Sequence, residues 1–222
     1  MKAILFDAYG TLLDVGSVRA KAEFIFPGQG AALSALWRDK QLQYSWLRTL
    51  AGRYADFWQV TEDSLVFAAA ALKLDLTAEK RDRLMQAYLS LKAYPDVIAG
   101  LRSLRDAGIR LAFLSNLTER MLESAVASAG LDGQFAALLS TDRVRAYKPD
   151  PRAYQMGIDG LGLRREEIVF AAFGGWDAAG AKNFGYRTFW ANRRALPVEA
   201  LGARPDAIGE TVTDLAGFAL QS

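Results

Sequence analysis

Five short apolar runs, separated by amphipathic segments, constrain the fold of this 222-residue chain more than any other feature of its sequence. The runs span residues 3–6, 110–114, 136–139, 168–173 and 186–191. Because polar and apolar residues do not alternate within them, they are typical of strands buried on both faces of a parallel sheet. Helical patterns lie between the runs, so the sequence predicts an α/β fold with a doubly wound, Rossmann-type parallel sheet.

The interval from residue 14 to residue 94 breaks this alternation, because its segments 32–53, 64–72 and 80–91 have helical patterns. A helical insert after the first strand lies over the carboxyl edge of the sheet, where open α/β sheets bind ligands. Pro95 indicates the return to the sheet, since the residue before a proline disfavours the helical region. We therefore predict a core domain of residues 1–13 and 95–222 and a helical cap domain of residues 14–94.

Chemically useful side chains follow four of the five runs. They are Asp7 with Thr11, then Ser115 with Asn116, then Lys148, and finally Asp177. Parallel strands bring their carboxyl ends to one edge of the sheet, so we expect these groups to converge there. One aspartate after one strand is more often a turn residue, but four such strand ends together indicate an active site.

Two missing residue types narrow the reactions that such a site can perform. The chain contains no cysteine and no histidine, which excludes a thiol nucleophile, a Ser-His-Asp triad and a Cys/His zinc site. Acid–base chemistry therefore falls to Asp, Glu, Lys or Tyr. Lys and Arg exceed Asp and Glu by only 27 − 25 = 2, so nucleic acid is not an expected partner.

Four ordered motifs of the chain resemble those of the haloacid dehalogenase superfamily: F-D-A-Y-G-T-L, L-S-N, Y-K-P-D and G-W-D-A-A-G-A. The similarity is greatest to the L-2-haloacid dehalogenases, covers nearly the whole chain and includes L-W-R-D-K-Q-L-Q-Y-S-W-L-R and T-E-D-S-L of the cap. The resemblance implies a hydrolase without metal or other cofactor. Its substrate would be a small carboxylate, an (S)-2-haloalkanoate that loses halide from Cα and becomes a 2-hydroxy acid.

The resemblance also implies roles for the residues at the strand ends. Asp7 attacks Cα and becomes an ester, a step that carboxylate nucleophiles perform. Lys148 stabilises the Asp7 carboxylate by its charge, and Asp177 positions or deprotonates the water that attacks the ester. Thr11 and Ser115 help to hold Asp7 and the substrate carboxylate.

The remaining implied contacts come from loops and from the cap. The backbone amides of Ala8 and Tyr9 hold the substrate carboxylate, and Arg38 faces the departing halide. The other expected neighbours of the halide are Asn116, Phe57 and Trp176. Tyr154 matches an active-site tyrosine of the family that orients polar neighbours.

Two alternatives with the same fold are less favoured. Phosphotransferases of this superfamily bind Mg²⁺ and carry a second aspartate two residues after the nucleophile, where this chain has Tyr9. The fourth motif also lacks the pattern G-D-x-x-D, which argues against a magnesium-dependent phosphatase. A catalytically inactive binding module is the other alternative, and it has no physical reason to keep Asp7, Lys148 and Asp177.

The fourth motif departs from the dehalogenase pattern S-S-N-A-W-D, since Ala172 replaces its first serine and Gly174 its asparagine. In the family these side chains help to place the second carboxylate, the lysine and the hydrolytic water. We therefore expect a less polar and roomier pocket near that water. Two outcomes stay open: slower or differently selective dehalogenation, or hydrolysis at Cα of another small carboxylate such as azetidine-2-carboxylate.

Assembly and location are further expectations. The long cap helix carries Trp37, Tyr44, Trp46 and Leu47 on several faces, and related enzymes dimerise through this region, so we expect a homodimer. The sequence contains no signal-peptide pattern and no apolar run of about 18 residues, so we expect no membrane contact and a cytoplasmic location.

Overall fold

Residues 1–221, which the computed structural model describes, contain eight β-strands and nine α-helices. Six of these strands are β1 (Ala3–Phe6), β4 (Arg110–Ser115), β5 (Ala137–Ser140), β6 (Ile168–Ala172), β7 (Arg187–Ala191) and β8 (Ala207–Gly209). They form one sheet in the order β5-β4-β1-β6-β7-β8, in which every neighbouring pair is parallel. The predicted α/β fold with a parallel Rossmann-type sheet is therefore confirmed.

Helices cover both faces of this sheet. They are α1 (Gly16–Ile25), α2 (Gly30–Leu50), α3 (Phe57–Ala71), α4 (Ala78–Ala87), α5 (Val97–Asp106), α6 (Glu119–Ser128), α7 (Pro151–Leu161), α8 (Gly175–Phe184) and α9 (Val212–Leu220). α5, α6 and α9 belong to one apolar core, which also contains buried side chains of α1 to α4. α7 and α8 belong to a second apolar core on the opposite face of the sheet. All four residues of β1 are fully buried between these layers, as expected for the centre of a parallel sheet.

The helices between β1 and α5 are bracketed by a small antiparallel pair. It consists of β2 (Leu13–Asp14) and β3 (Lys92–Ala93), in which Leu13 faces Ala93. The chain therefore leaves and re-enters the sheet region at neighbouring points. The division into a core and a cap at residues 14 and 94 stays a prediction. No helix within residues 1–221 is long and apolar enough to cross a membrane.

Differences between predicted and observed elements have local causes. α3 begins at Phe57 rather than at residue 64, because the Asp56 side chain accepts the Gln59 amide at 2.8 Å and caps the helix there. β8 and α9 were not predicted: β8 is a three-residue, partly exposed edge strand with too few residues to form a pattern. α7 begins at Pro151, since proline suits a first helical position.

Candidate active site

Asp7 lies just beyond β1, the strand between β4 and β6. Its amide donates to the Ala171 carbonyl at 2.9 Å, and the Thr11 hydroxyl donates to its Oδ2 at 3.3 Å. The following turn requires a glycine, because Gly10 has a φ of +82° and a Cβ there would lie 2.3 Å from the Phe173 ring. The turn therefore leaves the Asp7 side chain 17% exposed, in a position to meet a ligand.

Lys148 lies between two carboxylates and is itself buried. Its Nζ donates to Asp7 Oδ1 at 2.8 Å and to Asp177 Oδ2 at 2.6 Å. Burial lowers the pKa of the Lys148 ammonium, but the charges of Asp177 and Asp7 outweigh burial and raise that pKa above its ordinary value. Lys148 is thus a fixed cation whose charge stabilises both carboxylates through charge-assisted hydrogen bonds.

Asp177 lies in the first turn of α8 and is as deeply buried as Lys148. Burial raises the pKa of Asp177 most strongly, Lys148 opposes that effect, and the negative charge of Asp7 adds to it, so that the pKa is about 6. The Tyr154 hydroxyl donates to Asp177 Oδ1 at 2.7 Å. A carboxylate with a pKa near neutrality is suited to accept a proton from water.

Asn116 joins the end of β4 to the segment that carries the lysine. Its Oδ1 accepts the Lys148 backbone N–H at 2.9 Å and the Thr141 hydroxyl at 3.3 Å. Because the carbonyl of the Asn116 side chain is engaged in this way, its NH₂ group is the part available to a ligand. Ser115 Oγ accepts the Leu117 amide at 3.3 Å, which leaves the Ser115 hydroxyl proton available for another acceptor.

A cavity of about 340 Å³ separates this sheet edge from α2 and α3. Seven of the predicted site residues line it: Asp7, Tyr9, Arg38, Phe57, Ser115, Asn116 and Trp176. Arg38 reaches it from α2 and donates to Gln41 Oε1 at 2.5 Å, and the buried Gln41 in turn donates to Thr61 Oγ1 at 2.7 Å. The two sides of the cavity therefore bring a carboxylate and a guanidinium to the same space.

The other predicted site residues do not line the cavity. They are Ala8, Thr11, Lys148, Tyr154 and Asp177, and each is almost fully buried. The Tyr154 hydroxyl is directed to Asp177, a polar neighbour, and not into the cavity. We therefore regard Tyr154 as a residue that positions Asp177.

Tyr9 occupies the position where phosphotransferases carry their second aspartate. Burial raises the pKa of Tyr9 well above its ordinary value, and its hydroxyl donates to the Tyr88 carbonyl at 3.2 Å. Tyr9 is therefore a neutral hydrogen-bond donor that is already engaged. Within residues 1–221, no group of three or more acidic side chains is arranged to hold a metal ion.

The cavity is not roomier at Gly174, contrary to the expectation from sequence. A Cβ on Gly174 would lie 2.7 Å from Nε1 of Trp176, so the indole occupies the space that a side chain at position 174 would need. Trp46 of α2 packs edge-on against this indole, with ring centroids 5.3 Å apart. The Trp176 indole, rather than open volume, therefore lies beside Gly174.

Several residues of the cavity wall are not among the predicted site residues. One of them is Arg194, which lies three residues after β7 and places its guanidinium over the Phe173 ring, 5.3 Å from the centroid. Others are Asp39, Leu42, Leu196 and Glu199. The strand end at residue 191 is visible in the sequence, but Arg194 lies three residues beyond it, in an irregular loop that no local pattern describes.

Taken together, the parallel sheet and the carboxylate–lysine–carboxylate cluster at its carboxyl edge define a class of α/β hydrolases with an aspartate nucleophile. A family model for haloacid dehalogenase-like hydrolases matches residues 1–185. This chain belongs to that family, which confirms the resemblance seen in its motifs.

Named relatives are found among the 2-haloacid dehalogenases. The chain is 47% identical over 206 residues to an (S)-2-haloacid dehalogenase of Pseudomonas sp. (strain YL), covering 93% of this chain and 89% of that protein. A crystal structure of an L-2-haloacid dehalogenase superposes with a TM-score of 0.98 at 46% identity, over 100% of this chain and 99% of the other. Another, from Xanthobacter autotrophicus with chloropropionic acid covalently bound, has a TM-score of 0.92 at 36% identity over 99% and 98% of the two chains.

Proposed function

We propose that this protein hydrolyses small (S)-2-haloalkanoates to 2-hydroxy acids through an ester on Asp7. The observation that carries this proposal is the exposure of the Asp7 carboxylate to the cavity while its partners Lys148 and Asp177 are buried behind it. The Asp7 carboxylate can thus contact an electrophile in the cavity, whereas the Asp177 carboxylate can act only from the buried side of Asp7. The relatives named (S)-2-haloacid dehalogenase support the choice of substrate.

In the first step an oxygen of Asp7 forms a bond to C2 of the substrate. The carbon–halogen bond breaks on the opposite side, the halide leaves with the bonding electrons, and the configuration at C2 inverts. Lys148 fixes the orientation of the nucleophile through its 2.8 Å hydrogen bond. Arg38, Asn116 and the rings of Phe57 and Trp176 surround the cavity, and a guanidinium with an amide NH₂ group suits a departing halide.

In the second step water attacks the carboxyl carbon of the Asp7 ester while Asp177 accepts its proton. The bond between that carbon and the ester oxygen breaks, the carboxylate of Asp7 is regenerated, and the 2-hydroxy acid leaves after taking up a proton. The bond to C2 formed in the first step stays intact, so the product keeps the inverted configuration. Neither step requires a metal or an acid for the leaving halide.

Hydrolysis at C2 of azetidine-2-carboxylate remains a second candidate. The observation that favours it is the aromatic wall at Gly174, where the dehalogenase pattern has asparagine. A changed wall beside the ester alters which substituents at C2 can be accommodated. In that reaction the leaving atom is a nitrogen and needs a proton, so Arg38 would not act as a halide acceptor.

The decisive experiment is a single turnover of (S)-2-chloropropionate in ¹⁸O-labelled water with excess enzyme. We expect stoichiometric chloride, unlabelled lactate in the first turnover, and ¹⁸O in the Asp7 peptide by mass spectrometry. Label in the first lactate would contradict an ester on Asp7. Asp7→Asn should release no chloride, whereas the control Asp106→Asn, an exposed aspartate outside both cavities, should release it. Turnover of azetidine-2-carboxylate without chloride release from chloropropionate would select the second candidate.

We also propose a homodimer that forms through α2 and α3. Leu47 and Leu50 of α2 and Val66 and Phe67 of α3 are exposed apolar side chains, and such surface is commonly covered by a partner. Light scattering should give twice the mass of 24.3 kDa. The cytoplasmic location stays a prediction from the sequence, which fractionation of the source cells would test.

A further inference from the structure

A second cavity, of about 530 Å³, shares a wall with the active-site cavity. The shared residues are Val15, Arg38, Asp39 and Arg194. The active-site cavity alone has a volume of about 340 Å³. The concave surface that begins at Asp7 is thus far larger than a two- or three-carbon acid requires, and it continues past the two arginines.

Three guanidinium groups of the second cavity have no carboxylate partner. Arg19, Arg38 and Arg194 form no ion pair within 4.0 Å among residues 1–221. Arg193, the neighbour of Arg194 in sequence, behaves differently, because its guanidinium donates to both oxygens of Asp96 at 2.9 and 3.0 Å. Unlike Arg193, the three arginines of the cavity therefore keep their charge available to a ligand.

Acidic residues do not cancel this charge. The second cavity contains Asp14 and Asp39, of which Asp14 already accepts the Gly16 amide at 2.7 Å. Three guanidinium groups therefore face two carboxylates, one of them engaged by the backbone. The excess of unpaired guanidinium groups suits an anionic ligand, and the planar fork of arginine matches a carboxylate in particular.

We propose that Arg194 and Arg19 bind a second carboxylate on the substrate, so that the preferred substrates are 2-halodicarboxylates. This inference rests on the proposed function, since it places the C2 atom of the same molecule at Asp7. The carbon chain passes between Arg38 and Arg194, and its distal carboxylate lies in the second cavity. Arg194 is thus a specificity-determining residue, and it takes no part in the bond changes at C2.

Two substrates of equal chain length test this assignment: (S)-2-bromohexanedioate and (S)-2-bromohexanoate, which differ only in the distal carboxylate. We expect the wild type to have a kcat/KM for the diacid about fivefold above that for the monoacid, the size of one solvent-accessible ion pair. Arg194→Gln should abolish this preference by lowering kcat/KM for the diacid about fivefold, with a smaller effect on the monoacid, and Arg194→Lys should retain part of it. Arg204→Gln, on the same loop but outside both cavities, is the matched control.

The possible results separate this inference from the proposed function. Bromide release from both acids without a preference for the diacid overturns the inference and leaves the dehalogenase function standing. An equal loss on both acids in Arg194→Gln also overturns it, because the arginine would then act at C2 or on the fold. Failure to release halide from (S)-2-chloropropionate, the common benchmark, would overturn the proposed function and this inference together.

Discussion

The two sides of the active-site cavity are held in place by different means. On the sheet side, Lys148 joins Asp7 and Asp177 by hydrogen bonds of 2.8 and 2.6 Å, and Lys148 and Asp177 are each 1% exposed. On the side of α2, Arg38 is held by the neutral Gln41 rather than by a carboxylate. One side is thus fixed before substrate binds, and the other keeps its charges available.

This difference assigns the bond changes to the sheet side of the cavity and substrate selection to the α2 side. Buried, mutually bonded charges hold the reacting groups in one geometry, and such preorganisation accounts for most electrostatic catalysis. A half-buried guanidinium group contributes less energy, because solvent screens part of its charge, and it can be exchanged without unfolding the chain. We therefore expect changes on the sheet side to have large effects on activity and stability. Changes on the α2 side should have smaller effects that depend on the substrate.

The largest effect is expected for Lys148→Met, which leaves the carboxylates of Asp7 and the buried Asp177 facing each other. Breaking a buried ion pair in this way should lower the free energy of unfolding by about 3–5 kcal/mol, and activity should fall about 10³-fold. Chemical denaturation and halide release measure the two quantities. Lys182→Met, which removes a partly exposed pair with Asp206, is the control and should cost less than about 1 kcal/mol. Equal destabilisation of both variants would contradict the prediction that the buried ion pairs of the sheet side contribute more to stability than a partly exposed pair.

Asp177→Asn should separate the two chemical steps. The ester on Asp7 can still form, but the water that hydrolyses it has lost its base, which slows turnover by about 10²–10⁴-fold. Intact-mass spectrometry after mixing with (S)-2-chloropropionate should then detect a covalent adduct of the protein. Asp159→Asn, an exposed aspartate on α7, should turn over normally without an adduct. If Asp177→Asn is slow and no adduct accumulates, Asp177 acts before ester formation.

Arg38→Lys tests the opposite side with a smaller change. Lysine keeps the charge but loses the fork of donors, so kcat/KM should fall roughly tenfold without a loss of stability. Arg48→Lys, on the same helix but outside the cavity, should leave kcat/KM unchanged. A large loss of stability in Arg38→Lys would show that this side is as rigidly built as the sheet side.

Sequence reasoning succeeded best on the sheet side, and there is a physical reason. Parallel strands must deliver their carboxyl ends to one edge, so the pattern of apolar runs places Asp7, Lys148 and Asp177 together before any coordinates are known. The prediction needed only the strand assignments, which the structure reproduces within one or two residues. Burial of the strands on both faces made those runs easy to identify.

The same reasoning could not supply the details of the cavity wall. Arg194 lies in an irregular loop without periodicity, and its position depends on the long-range contact of the adjacent Arg193 with Asp96. The orientation of the Trp176 ring depends on the space left at Gly174 and on packing against Trp46, which is 130 residues away in sequence (176 − 46). Neither feature is encoded in a local pattern.

The smallest and most specific effect is expected for Tyr154→Phe. The Tyr154 hydroxyl donates to Asp177 and lowers the pKa of that carboxyl, which is about 6 in the intact cluster. Without this hydrogen bond the pKa of Asp177 rises. Because Asp177 acts as a base only when ionised, activity should then be lost at a higher pH on acidification, by up to about one pH unit, while kcat at alkaline pH changes little.

The matched control for this shift is Tyr186→Phe, since the Tyr186 hydroxyl donates to the Tyr154 backbone carbonyl at 2.7 Å and does not touch Asp177. A pH profile of kcat should therefore move for Tyr154→Phe and stay in place for Tyr186→Phe. If both profiles move equally, the effect comes from packing of the second apolar core. If neither moves, the acid limb does not report Asp177, and the buried side of the cavity would set the geometry of Asp7 without supplying the base.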